Sequence, residues 1–232
     1  MAWIFLVSFD SQNKAIITFT IDDGITVQLE KGMNVFEAKE IEGSVAIITN
    51  TLSNSNRKYI ELSQLKELQS KGWEILSHSV SHPYFNKINN SQTKSEIISS
   101  KSDLNRKQIS VTGFVTPYSE CNDQCKAYLN KNYEYAFTKY KNTKNIKELI
   151  ITKDTDPYRL YRVGIDKREL NEVLLYIDYI AKNGGWVSFY LHGIDGNDYI
   201  SSEELEKLID YCRLKNVDIT TPKKAFDKIF SD

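Results

Sequence analysis

The chain has 232 residues, 41% of them hydrophobic, enough to bury one sizeable core without a second domain. Its 30 Lys and Arg nearly cancel its 31 Asp and Glu, leaving a formal net charge of −1. That balance argues against nucleic acid as a partner, because phosphate binding rests on a basic excess, and it offers no polybasic face to a membrane. A neutral polymer such as a glycan is compatible with it. No stretch is long enough to span a bilayer, and the short apolar start, without a cationic leader or small-residue cleavage signature, does not read as a signal peptide.

Residues 3–9 read as a strand that turns through the polar segment 10–13 and pairs with the next strand candidate, 15–21 (AIITFTI). A short helix at 33–41 and a strand at 45–49 follow. Ile60, Leu62, Leu65 and Leu68 share one face of a helix at 60–71, which Gly72 ends. Then come a strand at 73–76, a helix at 93–107, a strand at 110–115 and a helix at 121–131. Strands are expected at 135–138 and 148–152, and a strong helix at 170–181 is stopped by Gly184 and Gly185. A strand at 186–191, a helix at 202–214 and a strand at 217–220 complete the chain. Ser202, with Glu203 and Glu204 beside it and Lys207 and Arg213 further on, suits the cap and dipole of the last helix. This alternation, without repeats or linkers, predicts an α/β protein with a largely parallel sheet closed, or nearly closed, into a barrel. The three cysteines are an odd number with no dithiol framework; Cys121 and Cys125, four apart, are assigned no function.

Parallel barrels deliver functional groups at the carboxyl ends of their strands. The strand at 15–21 runs into Asp22-Asp23-Gly24. Adjacent side chains on an extended segment point apart, so one carboxylate can face a cation and the other an attacking water. An Asp-Asp-Gly turn is common, and alone it carries little. The strand at 73–76 runs into Ser77-His78-Ser79-Val80-Ser81-His82-Pro83, where a four-residue spacing would bring both imidazoles to one side of a helical turn. With a carboxylate they would form a two-His, one-Asp site with positions left open. His192, the third and last histidine, also follows a strand. A barrel places all of these on one face.

These residues resemble the NodB-type polysaccharide deacetylases of carbohydrate esterase family four, from about residue 14 to the carboxyl end. Thr20-Ile21-Asp22-Asp23-Gly24 is similar to the family's Thr-Phe-Asp-Asp-Gly, and His78-Ser79-Val80-Ser81-His82 to its His-(Ser/Thr)-x-x-His. Gly113 to Tyr118 is similar to the Pro-Tyr motif, and Tyr190-Leu191-His192 to Leu-x-His. The resemblance implies a distorted, seven-stranded (β/α) barrel forming one catalytic domain over residues 1–232. It implies a divalent metal on Asp23, His78 and His82, with zinc favoured by the imidazole and carboxylate donors. Asp22 would be the general base and His192 the general acid. The oxyanion would meet a backbone N–H near Tyr118, after Pro117. The substrate would be an N-acetylated glycan such as poly-N-acetylglucosamine, peptidoglycan or a chitin-like chain, which suggests the cell surface.

The sequence departs from the family in three places. Val115 stands where many members carry an arginine that orients the base; a branch with an apolar run before Pro-Tyr, which includes poly-N-acetylglucosamine deacetylases, lacks that arginine too. Ser119 replaces a glycine. The Asp-Trp motif that supports the acid histidine is not recognisable, which leaves Asp156, Arg162 and Asp166 as candidates. Tyr84, Phe85, Tyr118, Trp186 and Tyr190 could stack on sugar rings; packing is favoured for Trp186 and Tyr190, and contact with substrate for Tyr118. A same-fold amidohydrolase acting on a small non-sugar amide and a non-catalytic carbohydrate-binding module are the alternatives. The full ligand set, with Asp22 and His192 both present, favours the deacetylase.

Overall fold

A computed structural model describes residues 14–53, 58–139 and 145–231. The expected strand at 3–9 and its turn lie outside these residues. The strands are β1 (Ala15–Ile21), β2 (Ser44–Ile47), β3 (Glu74–Ser77), β4 (Gly113–Val115), β5 (Tyr135–Lys139), β6 (Leu160–Tyr161), β7 (Val163–Gly164), β8 (Gly185–Leu191) and β9 (Asp218–Ile219). The helices are α1 (Thr26–Ala38), α2 (Leu62–Ser70), α3 (Asn90–Arg106), α4 (Asp123–Asn132), α5 (Leu170–Asn183), α6 (Ser202–Leu214) and α7 (Pro222–Phe230). No helix among the described residues is long and apolar enough to cross a membrane.

The strands run in the order β6-β5-β4-β3-β2-β1-β8-β7, with β9 also paired to β1, and every pairing between them is parallel. β6 and β7 stand at opposite ends of that order, yet only Arg162 separates them in the chain. The single segment 160–164 therefore pairs with β5 on one side and β8 on the other, closing the barrel. Counted once, it brings the barrel to the seven strands expected. β9 is extra: it pairs with Ile16 and Ile17 of β1, while β2 takes Thr20 and Ile21.

Alternation along each strand separates two cores. Ile17, Phe19, Val45, Ile75, Phe114, Val187 and Phe189 form one cluster with the surrounding helices. Ile16, Ala46, Leu76, Val115, Tyr135, Phe137, Leu160 and Trp186 fill the barrel, and Ala225, Phe226 and Phe230 of α7 close it from below. The Tyr135 and Phe226 rings stack at 5.0 Å between centroids. Thr20 and Ser188, also buried, share the inward side of β1 and β8, so the interior turns polar towards the strands' carboxyl ends.

Several local expectations are corrected. Residues 148–152 are not a strand: Ile146–Leu149 is a 3-10 turn, and Ile151 alone bridges Trp186, antiparallel. β7 spans only two residues and reaches Phe189 and Tyr190, which leaves Trp186 accessible to that bridge. α1 begins at Thr26 rather than 33, and a Cβ on Gly32 within it would lie 2.4 Å from Ile21 Cδ1, so a larger residue would have to displace that buried side chain. The cap of α6 is Ser201, in a reciprocal box with Glu204, not Ser202. α7 and the 160–164 strand were not expected. Cys121 and Cys125 form a disulfide: Asn122 caps α4, and the chain doubles back to bring their Cα atoms within 5.4 Å.

Candidate active site

At the end of β1, Asp22 N–H donates to the Leu191 carbonyl at 2.9 Å, locking β1 to β8 where the functional residues emerge. Asp23 (φ 71°) and Gly24 (φ 68°) then turn through left-handed backbone, which aims the two carboxylates apart. A Cβ on Gly24 would come within 2.8 Å of Ile47 Cδ1, so a larger residue would also have to displace that buried side chain.

Asp23 Oδ1 lies 3.5 Å from both His78 Nε2 and His82 Nε2, and the two imidazole nitrogens are 3.1 Å apart. Donors about 2.0–2.1 Å from a tetrahedral ion would stand about 3.3 Å from one another. Asp23 Oδ1 is buried with no hydrogen-bond partner among the described residues. His78 Nδ1 lies 2.8 Å from the Val115 carbonyl. A carbonyl only accepts, so Nδ1 carries the proton and Nε2 offers its lone pair to the triad. Burial, reinforced by His78, lowers the pKa of His82 and favours the neutral ring that a metal requires. Burial would raise the pKa of Asp23, but the imidazoles around it, when protonated in the metal-free protein, outweigh this and hold the carboxyl below its usual value. The donor set and its spacing fit a divalent cation.

The route that joins the two imidazoles differs from the helical turn expected. Residues 78–82 are a loop, with Ser79 at φ 67° and His82 at φ 60°. Ser79 Oγ accepts His82 N–H at 3.0 Å. Of the nine non-glycine residues with positive φ among the described residues, Asp23, Ser79, His82, Tyr118 and Ser119 all belong to this site. Such backbone costs free energy and persists only where its surroundings hold it.

Asp22 is buried, and Arg162 meets it through Nη1–Oδ1 at 2.8 Å and Nη2–Oδ2 at 2.9 Å. Burial pushes the Asp22 carboxyl up, but Arg162 foremost, together with the nearby imidazoles, outweighs this and holds it below its usual pKa. The guanidinium also sits 4.4 Å over the Tyr190 ring. His192 Nδ1 lies 2.7 Å from Asp166 Oδ2, and Asp166 Oδ1 accepts His192 N–H at 2.9 Å. The Asp166 hydrogen bond raises the His192 pKa to about 9 despite burial, so the ring is an imidazolium at neutral pH. Arg162 and Asp166 thus come from the barrel-closing segment and its exit. Asp156, the third candidate, pairs with Lys126 and Arg159 instead.

Asp22, His78, His82, Tyr118, Arg162 and His192 line one cavity of about 290 Å³. A wider groove of about 660 Å³ continues past Tyr190 and His192 along Lys167, Arg168 and Tyr199. Pro117 opens the short turn Pro117–Ser119 that carries Tyr118, half exposed at φ 55°. Tyr84 stacks on Tyr118 at 3.6 Å, and Tyr118 meets the His82 ring edge-on at 4.7 Å. Phe85 and Trp186 are buried packing residues, and Tyr190 is shared between Arg162 and the cavity.

Fold and site together define a parallel α/β barrel in which an Asp-His-His triad, spaced to suit a cation, is flanked by an Arg-held carboxylate and an Asp-held imidazole. A sequence profile described as polysaccharide deacetylase matches residues 10–137, more than half of the chain, and the chain belongs to that family. Its fold is similar to that of a peptidoglycan N-acetylglucosamine deacetylase solved with a naphthyl N-hydroxybenzamide, at 17% identity and a TM-score of 0.66, covering 93% of this chain and 89% of that one. An acetyl xylan esterase from Clostridium thermocellum, solved with cobalt, gives 12% identity and a TM-score of 0.64 over 92% and 91%. A family-four pseudoenzyme from Bacillus anthracis gives 12% and 0.64 over 93% and 66%. At these identities the likeness concerns the fold. Among curated proteins, none matches the chain.

Proposed function

We propose that the chain, as one catalytic unit, is a metal-dependent hydrolase that removes N-acetyl groups from an N-acetylated glycan of the poly-N-acetylglucosamine, peptidoglycan or chitin type. One observation carries this: His78 and His82 line one cavity with an ionised carboxylate and an imidazolium, and Asp23 completes the triad from the adjoining groove. A fold shared with a pseudoenzyme does not decide activity. The assembled groups support it, because sugar binding alone needs neither an Arg-held base nor an Asp-held acid.

Asp23, His78 and His82 would hold the cation, zinc by donor type, which supplies a Lewis acid beside the acetamide carbonyl and acidifies water. Asp22 takes a proton from the attacking water, and Arg162 keeps its carboxylate ionised and aimed. As the water oxygen bonds to the carbonyl carbon, the Tyr118 backbone N–H donates to the developing oxyanion. His192 delivers its proton to the departing amine, since an unprotonated amine leaves poorly, and the C–N bond breaks to give acetate. Asp166 restrains the ring and favours its charged form. The groove beyond His192 provides room for the rest of the glycan.

The test is acetate release from N-acetylglucosamine oligomers, peptidoglycan and small amides, before and after chelation and after zinc is restored. Chelator-sensitive release from a glycan supports the proposal. Release from small amides only, or release indifferent to chelation, defeats it.

A further inference from the structure

We infer that Glu96 of α3 is the positioning residue that holds the two imidazoles of the triad in register, an inference that rests on the cation-binding role proposed for Asp23, His78 and His82. Glu96 Oε2 accepts the N–H groups of Val80 and Ser81 at 2.8 and 2.9 Å, and its Oε1 accepts the Ser81 hydroxyl at 2.7 Å. All three bonds go to the residues between the two histidines.

The loop's other backbone groups show why this grip matters. His78 N–H donates to the Ile47 carbonyl, and the carbonyls of Ser79 and Val80 accept from Thr49 and Asn50. His82 N–H donates to Ser79 Oγ. One edge of the loop is therefore tied to the end of β2, and Glu96 is what ties the other. Between these ties Ser79 and His82 adopt left-handed φ, a conformation that non-glycine residues leave unless they are held. Without Glu96, the Val80 and Ser81 N–H groups lose their acceptor. The loop can then relax towards ordinary φ, and the 3.1 Å spacing of the two Nε2 atoms is no longer imposed. Glu96 itself sits on a rigid support: Thr93, Ile97, Ser100 and Leu104 of α3 are buried on the face turned to the barrel.

The experiment compares wild type, Glu96→Ala and Glu96→Gln by zinc titration, by the visible spectrum of the cobalt-substituted proteins, and by amide exchange of Val80 and Ser81 in metal-free protein. Glu96→Ala is expected to bind zinc roughly tenfold or more weakly, to change the cobalt spectrum and to lose protection at both amides. Glu96→Gln, which keeps the shape and a carbonyl acceptor, restores most of all three. Wild-type affinity, spectrum and protection in Glu96→Ala would overturn the inference, as would a glutamine variant no better than alanine. If wild type binds no cation, the proposed function fails, and the amide exchange alone decides whether Glu96 holds the loop.

Discussion

Arg162 grips Asp22 through two parallel hydrogen bonds, although 140 residues separate them in the chain. Val115 occupies the place where many family members supply this guanidinium. Here the guanidinium arrives instead from the segment that closes the barrel, and the carbonyl of Val115 fixes the tautomer of His78.

Removing that grip should move the base. Arg162→Met leaves a buried carboxylate without its counter-charge, so the Asp22 pKa rises. The acidic limb of the kcat/KM profile then shifts to higher pH and turnover falls. Breaking a buried pair also costs about 3 kcal/mol of stability, to be read from denaturant unfolding.

His192 should show the opposite sign. Its folded pKa of about 9 lies above the ordinary 6.5, so the Asp166–His192 pair stabilises the metal-free protein fully below pH 6.5. That contribution is lost as pH rises towards and through 9. Asp166→Asn should remove this pH dependence and bring the alkaline limb of the activity profile down towards 6.5, measured by thermal melts and pH–rate profiles.

Binding and turnover should separate between Asp22 and the triad. Asp22→Asn is expected to retain the cation and lose turnover, while His78→Ala loses the cation, as measured by metal content and titration. Full turnover by Asp22→Asn would remove its role as base.

At the other end of the barrel, Glu74 accepts hydrogen bonds from the Tyr135 hydroxyl and, at 2.5 Å, from Lys223 N–H near the start of α7. Burial raises its pKa from 4.5 to about 7. An acid raised on folding binds more protons in the native state, so it stabilises most below pH 4.5 and loses that contribution as pH rises to 7. Glu74→Gln should flatten this decline in the melting temperature over pH 4.5–7.

What lay in the sequence was whatever short-range pattern encodes. The β1 strand followed from its run of β-branched and aromatic residues, the span of α6 from helical period, and the candidate ligands from two contiguous motifs at strand ends. The 160–164 strand escaped because two residues on either side of Arg162 are too few to show a period. Choosing Arg162 for Asp22, Asp166 for His192 and Glu96 for the histidine loop needed the closed barrel. Those contacts join residues far apart in the chain, and only the curvature that brings β7 against β8, and α3 beneath the loop after β3, sets their distances. Even the meeting of His78 with His82 depends on left-handed backbone held by those neighbours, which a spacing of four residues does not specify.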